Sequence, residues 1–204
     1  FIHCSTLSFS GNSVSGENAT IVLTGDLAKN DINGGANIAV TNAYIDGNVT
    51  LGGSQKLGSQ TVPGTIYING NLDLSGSAAV FGESIYVTGN ITLNGSPILG
   101  LTDNTTKIYA LGNVILNNGF VRGDIYTNGN MELKSATLTN NAYIGGNLIL
   151  GWTPTLSATT TVYYKGTLTA PAYFTASILA KCVNNPSLPA VAIPVTMPDT
   201  TIPP

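Results

Sequence analysis

A nine-residue segment returns along most of this chain and constrains its fold more than any other feature. Its clearest copy, residues 85–93, reads Ile-Tyr-Val-Thr-Gly-Asn-Ile-Thr-Leu. Further copies occupy residues 43–51, 66–74, 108–116, 125–133 and 142–150, with partial copies at 21–27 and 162–168. The glycines that mark the copies are Gly25, Gly47, Gly70, Gly89, Gly112, Gly129, Gly146 and Gly166. Their spacing of 17 to 23 residues is typical of a solenoid.

Each copy alternates apolar residues with others, and this period of two predicts a β-strand. Gly-Asn then predicts a corner, because glycine readily adopts positive φ and asparagine tolerates the left-handed region. The apolar residues after the corner predict a second inward-facing strand. The fold class is therefore all-β, a single-stranded β-solenoid with a right-handed coil as the expected hand. Eight marker glycines predict about eight rungs and a rod of roughly 38 Å, at about 4.8 Å a rung.

Stacking the copies in register places equivalent side chains in columns. An asparagine ladder at the corner would hydrogen-bond along the axis, with Asp26 and Thr167 interrupting it at its two ends. Its members are Asn48, Asn71, Asn90, Asn113, Asn130 and Asn147.

A tyrosine column is predicted on the outer face of the first strand. It consists of Tyr44, Tyr67, Tyr86, Tyr109, Tyr126, Tyr143 and Tyr163. Two interpretations stay open. Aligned aromatic rings stabilise neighbouring strands through cross-strand contact. A long aromatic stripe is also an apolar patch of the kind that binds a glycan, a partner subunit or the chain's own tail.

The pattern divides the chain into three parts. Residues 1–19, with Leu7, Phe9 and Gly11-Asn12, predict an N-terminal cap or incomplete rung, and residues 20–169 form the solenoid. Residues 170–204 predict a return segment and a proline-rich tail, because proline cannot join a regular strand ladder. The apolar residues between the prolines favour packing of this tail on the solenoid.

Cys4 and Cys182 are the two cysteines of the chain. In a chain of secreted character, an even pair suggests a disulfide. Residues 170–182 would then have to run back along the rod, over a reach of roughly 43 Å when extended. The alternative is a pair of buried free thiols.

The scarcity of charge argues against several functions. Asp, Glu, Lys and Arg make up 8% of the residues and the net charge is −3, which predicts no nucleic-acid partner. His3 is the single histidine, so neither a histidine-rich metal site nor a Ser-His-Asp triad within the repeats is expected. No cofactor or metal is expected, and no apolar run reaches the length of a membrane span.

The acidic residues give little support to an enzyme. Glycoside cleavage uses two carboxyl groups that flank one bond, whereas Asp46 and Asp73 hold different positions in the repeat. The remaining candidates are Asp124, Glu132 and Arg122, and Arg122-Gly123-Asp124 is interpreted as a solvated turn. The sequence therefore favours a non-enzymatic module, with a polysaccharide-active β-helix enzyme as the alternative.

The repeats, the Cys4 and Cys182 frame and the proline-rich end resemble the solenoid ectodomains of bacterial type IV pilin-like proteins, with residues 2–24, 151–156 and 177–182 contributing to the likeness. The resemblance covers most of the chain. It implies an extracellular or cell-surface location, a role in adhesion or assembly, and pilin subunits or surface glycans as partners. It also implies that a membrane is reached only through a hydrophobic helix upstream of Phe1.

A weaker resemblance links the chain to bactofilins, which are self-assembling β-solenoid scaffolds with rungs near 17 residues. The spacings of 22 and 23 residues, the cysteines and the long tail argue against this second family. A bactofilin-like scaffold is kept as a further alternative.

Overall fold

The computed structural model describes residues 1–8, 10–11 and 13–199, and it is built from short parallel β-strands stacked rung upon rung. The strands are, in chain order, β1 Ile2–Cys4, β2 Ser13–Leu23, β3 Asn37–Ile45, β4 Val49–Leu51, β5 Lys56–Leu57, β6 Thr65–Ile68, β7 Leu72–Gly76, β8 Ala79–Val80, β9 Ser84–Val87, β10 Ile91–Gly95, β11 Ile98–Gly100, β12 Thr106–Ala110, β13 Val114–Leu116, β14 Phe120–Thr127, β15 Met131–Leu133, β16 Thr137–Leu138, β17 Ala142–Ile144, β18 Leu148–Leu150, β19 Thr155–Leu156, β20 Val162–Tyr164, β21 Leu168–Thr169 and β22 Cys182–Asn184. One helix, α1, spans Ala176–Leu179.

The strands form three walls around one interior. The tyrosine wall contains β1, β2, β3, β6, β9, β12, β14, β17, β20 and β22. The second wall follows the Gly-Asn corner and contains β4, β7, β10, β13, β15, β18 and β21. The third wall contains β5, β8, β11, β16 and β19, together with the first halves of β2, β3 and β14.

This arrangement confirms the predicted all-β solenoid, with about nine turns where the sequence predicted eight. The predicted number of turns was too low because one further strand stacks at each end of the rod. β1 pairs with β2 at the N-terminal end, and β22 pairs with β20 at the C-terminal end. Neither strand carries a marker glycine. The right-handed coil stays a prediction.

The core is a continuous stack of aliphatic side chains inside the three walls. Ile66, Ile85, Ile108 and Ile125 follow one another in register along the tyrosine wall, and all four are fully buried. Burying each such side chain stabilises the fold by roughly 1.5–3 kcal/mol. The core therefore stabilises the rod along its length rather than at one centre.

The Gly-Asn corner lies where the sequence predicted it, but the predicted reason for its glycines was wrong. The residues with positive φ include Gly53, Gly76 and Gly95, which stack at the next corner, and none of the marker glycines is among them. At the Gly-Asn corner the rungs approach closely instead. A Cβ atom on Gly70 would lie 2.3 Å from the carbonyl oxygen of Gly47, so no larger residue fits there.

The junction between the third wall and the tyrosine wall varies from rung to rung. The chain runs straight through it within β3 and β14, whereas loops of residues 58–64, 101–105 and 157–161 bulge from it elsewhere. These loops account for most of the variation in repeat spacing.

The two cysteines lie at opposite ends of the rod, so the predicted disulfide is wrong. Cys4 is opposite Leu23 in the first rung, and Cys182 is opposite Val162 in the last. Nine strand spacings of about 4.8 Å separate β1 from β22, whereas bonded cysteines have Cα atoms within roughly 7 Å of each other. Both thiols are free.

The physical reason is the path of residues 170–182. Instead of running back along the rod, this segment folds over the C-terminal end, where Phe174, Ile178 and Leu179 pack against the core. β22 then continues the stack. At the other end Leu7 packs against the core, while Phe9 and Asn12, which also supported the predicted cap, lie outside the described residues.

Among the described residues, no helix has the length and apolar character needed to cross a membrane.

Candidate functional site: the tyrosine wall

The seven predicted tyrosines follow one another in register on the outer face of the tyrosine wall, which confirms the column. From Tyr86 to Tyr163 the rings stack with centroids 4.6 to 5.3 Å apart and planes inclined by 5° to 14°. Tyr44 and Tyr67 form a separate tilted pair at 6.4 Å and 39°. Each pair adds roughly 0.5–1.5 kcal/mol beyond its buried area.

The stacking decides which part of each ring other molecules can reach. Within the stack, Tyr109, Tyr126 and Tyr143 have a neighbouring ring against both faces, so their ring edges form the surface. A sugar ring packs best on an aromatic face. The middle of the column is therefore better suited to contacts with the edges of its rings than to sugar stacking.

Tyr109 and Tyr126, in the middle of the column, are uncharged at neutral pH. Burial raises the pKa of Tyr109 and Tyr126 above the usual value of a phenol, and the Asp124 carboxylate raises the pKa of Tyr126 further. Beside the column, Lys107 donates a hydrogen bond to Asp124, which raises the pKa of this lysine. Apart from that ion pair, these rungs present a neutral aromatic surface.

The asparagine ladder is confirmed at the Gly-Asn corner, on the edge of the tyrosine wall. The side-chain oxygen of each asparagine accepts a hydrogen bond from the backbone N–H of the equivalent asparagine one rung on. The N···O distances are 3.0 Å for Asn71 to Asn48, 2.8 Å for Asn90 to Asn71, 2.7 Å for Asn113 to Asn90, 2.8 Å for Asn130 to Asn113 and 2.8 Å for Asn147 to Asn130.

Asp26 and Thr167 continue this ladder, so the prediction that they interrupt it was wrong. Asp26 Oδ1 accepts the backbone N–H of Asn48 at 2.6 Å. At the other end, the backbone N–H of Thr167 donates to Asn147 Oδ1 at 2.8 Å. A carboxylate and a hydroxyl residue replace the amide because the first position needs only an acceptor and the last only a donor.

The tail, defined as residues 185–199, lies partly on the tyrosine wall, as the sequence led us to expect. Asn128 binds the backbone of Val191 twice, since its Oδ1 accepts the Val191 N–H at 2.6 Å and its Nδ2 donates to the Val191 carbonyl at 2.9 Å. Leu188 is only 8% exposed. With Pro189 and Val191, it faces Tyr126, Tyr143 and Gly145 around a cavity of about 250 Å³.

No pattern in the sequence indicated that Asn128 would anchor the tail. Asn128 directly precedes a marker glycine, and the same repeat position holds Asp46, Asn69, Thr88 and Leu111 in other copies. The position is too variable to form a pattern. Its role depends on a contact between residues 63 positions apart.

The acidic candidates make structural contacts. Asp46 accepts a hydrogen bond from Asn69 at 2.7 Å, Asp124 pairs with Lys107, and Glu132 pairs with Lys134 at 3.0 Å. Asp73 lies in β7 of the second wall, so Asp46 and Asp73 belong to different faces of the rod. In the described part of the chain, no three His, Cys, Asp or Glu residues gather as metal ligands.

A second aromatic surface, which the sequence did not predict as a site, lies near the C-terminal end of the second wall. Trp152 is 64% exposed and Tyr173 is 58% exposed. The Tyr173 hydroxyl donates to the carbonyl of Gly151 at 2.6 Å, and its ring stacks on Phe174 at 5.2 Å. Tyr173 is therefore held in place beside Trp152, with much of its surface open to solvent.

Function has to be inferred from these surfaces, since no family model, curated protein or solved structure matches the chain.

Proposed function

We propose that this chain is a non-enzymatic β-solenoid module, displayed outside the cell on a bacterial surface or pilus, whose tyrosine wall serves assembly. The observation that carries the proposal is the tail seated on this wall. An extended segment is held there by paired hydrogen bonds from Asn128 to the backbone of Val191. Backbone recognition of this kind accepts extended polypeptides of more than one sequence.

The ladders support a display role because they hold the wall in one shape. Asparagine amides, tyrosine rings and core side chains all repeat at the same rung spacing. Any partner therefore meets a rigid surface and loses little binding free energy to ordering it.

Other pilin subunits are the proposed partners, and the surface or pilus location rests on the resemblance to pilin-like ectodomains. The contacts of the acidic side chains support a non-enzymatic role. Asp124 and Glu132 are paired with Lys107 and Lys134, whereas a glycosidase directs its two carboxyl groups at one bond.

The test is a binding measurement with a synthetic peptide of residues 186–199. The receptor is the full chain carrying Val191→Pro, since this change removes the N–H that donates to Asn128 and loosens the chain's own tail. We expect the peptide to bind, and Tyr126→Ala with Tyr143→Ala to weaken binding about tenfold, the equivalent of roughly 1.4 kcal/mol.

Tyr44→Ala is the matched control, because Tyr44 lies in the same column but away from the cavity beside the tail. It should leave peptide binding unchanged. No peptide binding at all, or equal losses from the control and the test pair, would remove the tyrosine wall as an assembly surface.

Adhesion to glycans is a second candidate function, favoured by the exposure of Trp152 and Tyr173. Exposed aromatic faces bind the apolar face of a sugar, whereas the rings in the middle of the column have both faces covered. A glycan array separates the two surfaces. Loss of binding in Trp152→Ala assigns adhesion to the exposed pair, and loss in a Tyr86→Ala, Tyr109→Ala variant assigns it to the column.

A further inference from the structure

The side chains of the tail are exposed or half-buried, except for Leu188. Two hydrogen bonds join Asn128 to Val191, and Leu188 is the deeply buried side chain of the segment. The cavity of about 250 Å³ beneath Leu188, Pro189 and Val191 means that tail and wall do not fill the space between them. Atoms that line such a space lose packing contacts. The tail is therefore held less tightly than a core strand.

The tail also presents one apolar side along its length. Val191, Ile193, Val195 and Met197 are half-buried, whereas the residues between them, Ala192, Pro194 and Thr196, are exposed. A period of two is the signature of an extended chain lying with one side on a surface. The surface therefore recognises an extended segment with apolar residues at alternate positions.

The connection between tail and rod is short. Asn185 donates its N–H to the carbonyl of Tyr164 at 2.8 Å, and its own carbonyl accepts the N–H of Leu188 at 3.3 Å. Residues 185–187 therefore turn the chain back from the C-terminal end. If the chain opens after Asn185, the rest of the tail leaves the rod without disturbing β22, because the backbone bonds of that strand end with the one from Asn185 to Tyr164.

We infer that the tail surface of one copy binds the tail of a second copy, so that two chains form a dimer by exchanging residues 185–199. This inference rests on the proposed assembly function and names its partner. The exchanged tail makes the same contacts with Asn128, Tyr126 and Tyr143 as the chain's own tail. Exchange of identical elements is a low-cost route to dimers for this reason.

The length of the turn fixes how the two rods meet. The Asn128 site follows β14, three strand spacings or roughly 14 Å below β22. Residues 185–191 span at most about 23 Å when extended. Each tail can therefore reach the other copy only if the C-terminal ends of the two rods lie next to each other.

Two full-length variants with complementary defects test the inference. Val191→Pro disrupts the tail but leaves intact the receiving surface, which is the part of the wall around Asn128 that binds the tail. Asn128→Ala disrupts this receiving surface but leaves the tail intact. Neither should dimerise alone. Mixed, they should form a one-to-one complex through the intact tail and the intact surface, with an association constant about thirtyfold above that of Asn128→Ala alone, as expected for two hydrogen bonds of roughly 1 kcal/mol each.

Analytical ultracentrifugation measures the complex, and Asn140→Ala mixed with Val191→Pro is the control. Asn140 bonds the carbonyl of Asn104, so its loss leaves the tail surface intact. In the control mixture, the Asn140→Ala chain supplies an intact tail, and both chains supply an intact receiving surface. This mixture should therefore also dimerise. Thermal unfolding of each variant checks that it folds.

If the Val191→Pro and Asn128→Ala mixture stays monomeric up to about 1 mM, the upper range of effective concentrations for short linkers, exchange between copies is overturned. Peptide binding to the Val191→Pro chain would in that case leave the assembly function standing. Failure of both measurements would overturn the two together.

Discussion

Every rung passes through the Gly-Asn corner and through the junction between the third wall and the tyrosine wall, yet the corner is uniform and the junction is not. At the Gly-Asn corner, glycine backbones touch and asparagine amides bond from rung to rung. At the junction, loops such as 58–64 and 101–105 project from the rod. The ends of these loops still bond to the neighbouring rung, as in the 2.8 Å bond from the Glu83 N–H to the Gly64 carbonyl. Repetition is therefore required where the whole turn stacks on its counterpart, and length varies where only the ends of a loop do.

The strongest test of this difference is to insert the same dipeptide at both places. Gly-Ser between Gly70 and Asn71 separates Asn71 from Asn48 and from Asn90, and it should lower the free energy of unfolding by more than about 3 kcal/mol. Gly-Ser after Thr61, within a loop of the junction, should cost less than about 0.6 kcal/mol. Urea denaturation of both proteins measures the difference, and equal losses would contradict the comparison.

A smaller but still large effect is expected from a single methyl group at the Gly-Asn corner. In Gly89→Ala the new Cβ would lie 2.4 Å from Asn71 Oδ1 and 2.6 Å from the Gly70 carbonyl oxygen. The rungs must move apart, at a cost of about 1–3 kcal/mol.

The matched control for Gly89→Ala is Gly34→Ala, because nothing lies within 4 Å of a Cβ atom built on that loop glycine. It should change stability by less than about 0.5 kcal/mol. If thermal unfolding gave the two variants the same midpoint, close backbone approach would not be what selects glycine at the corner.

The amide ladder itself should have the smallest effect. Asn90→Ala removes the acceptor for the Asn113 N–H and the amide that donates to Asn71, which costs about 1 kcal/mol because water replaces part of the loss at this exposed corner. Asn90→Asp keeps the acceptor, as Asp26 does at the start of the ladder, and should cost less at neutral pH. A destabilisation of Asn90→Asp greater than that of Asn90→Ala would show that repulsion between the new carboxylate and Asn71 Oδ1, which the Asn90 amide contacts at 3.1 Å, outweighs the retained acceptor.

Much of the fold could be predicted because repeats put the same physical requirement in the same place many times. The tyrosine column and the asparagine ladder each recur in six or seven copies. The strands of the third wall were missed because they are as short as two residues, as in β5 and β8. A second glycine lies six residues after the marker glycine, as in Gly53, Gly76 and Gly95. This spacing was the available signal for the corner that precedes the strands of the third wall.

The parts that occur once were harder to predict. Cys182 was placed beside Cys4 because two cysteines suggest a bond, yet the segment before Cys182 packs on the end of the rod through Phe174. The anchor of the tail depends on Asn128 and Val191, which no spacing in the sequence connects. Such contacts follow from tertiary packing and leave no period behind.

Successive rungs pair in the same register, so the number of rungs determines the length of the molecule. One more copy of the repeat, joined through the same glycine contact and the same amide bond, would lengthen the rod by about 4.8 Å and leave both ends unchanged. The number of repeats in the sequence therefore sets the distance between the two ends of the rod, in steps of one turn.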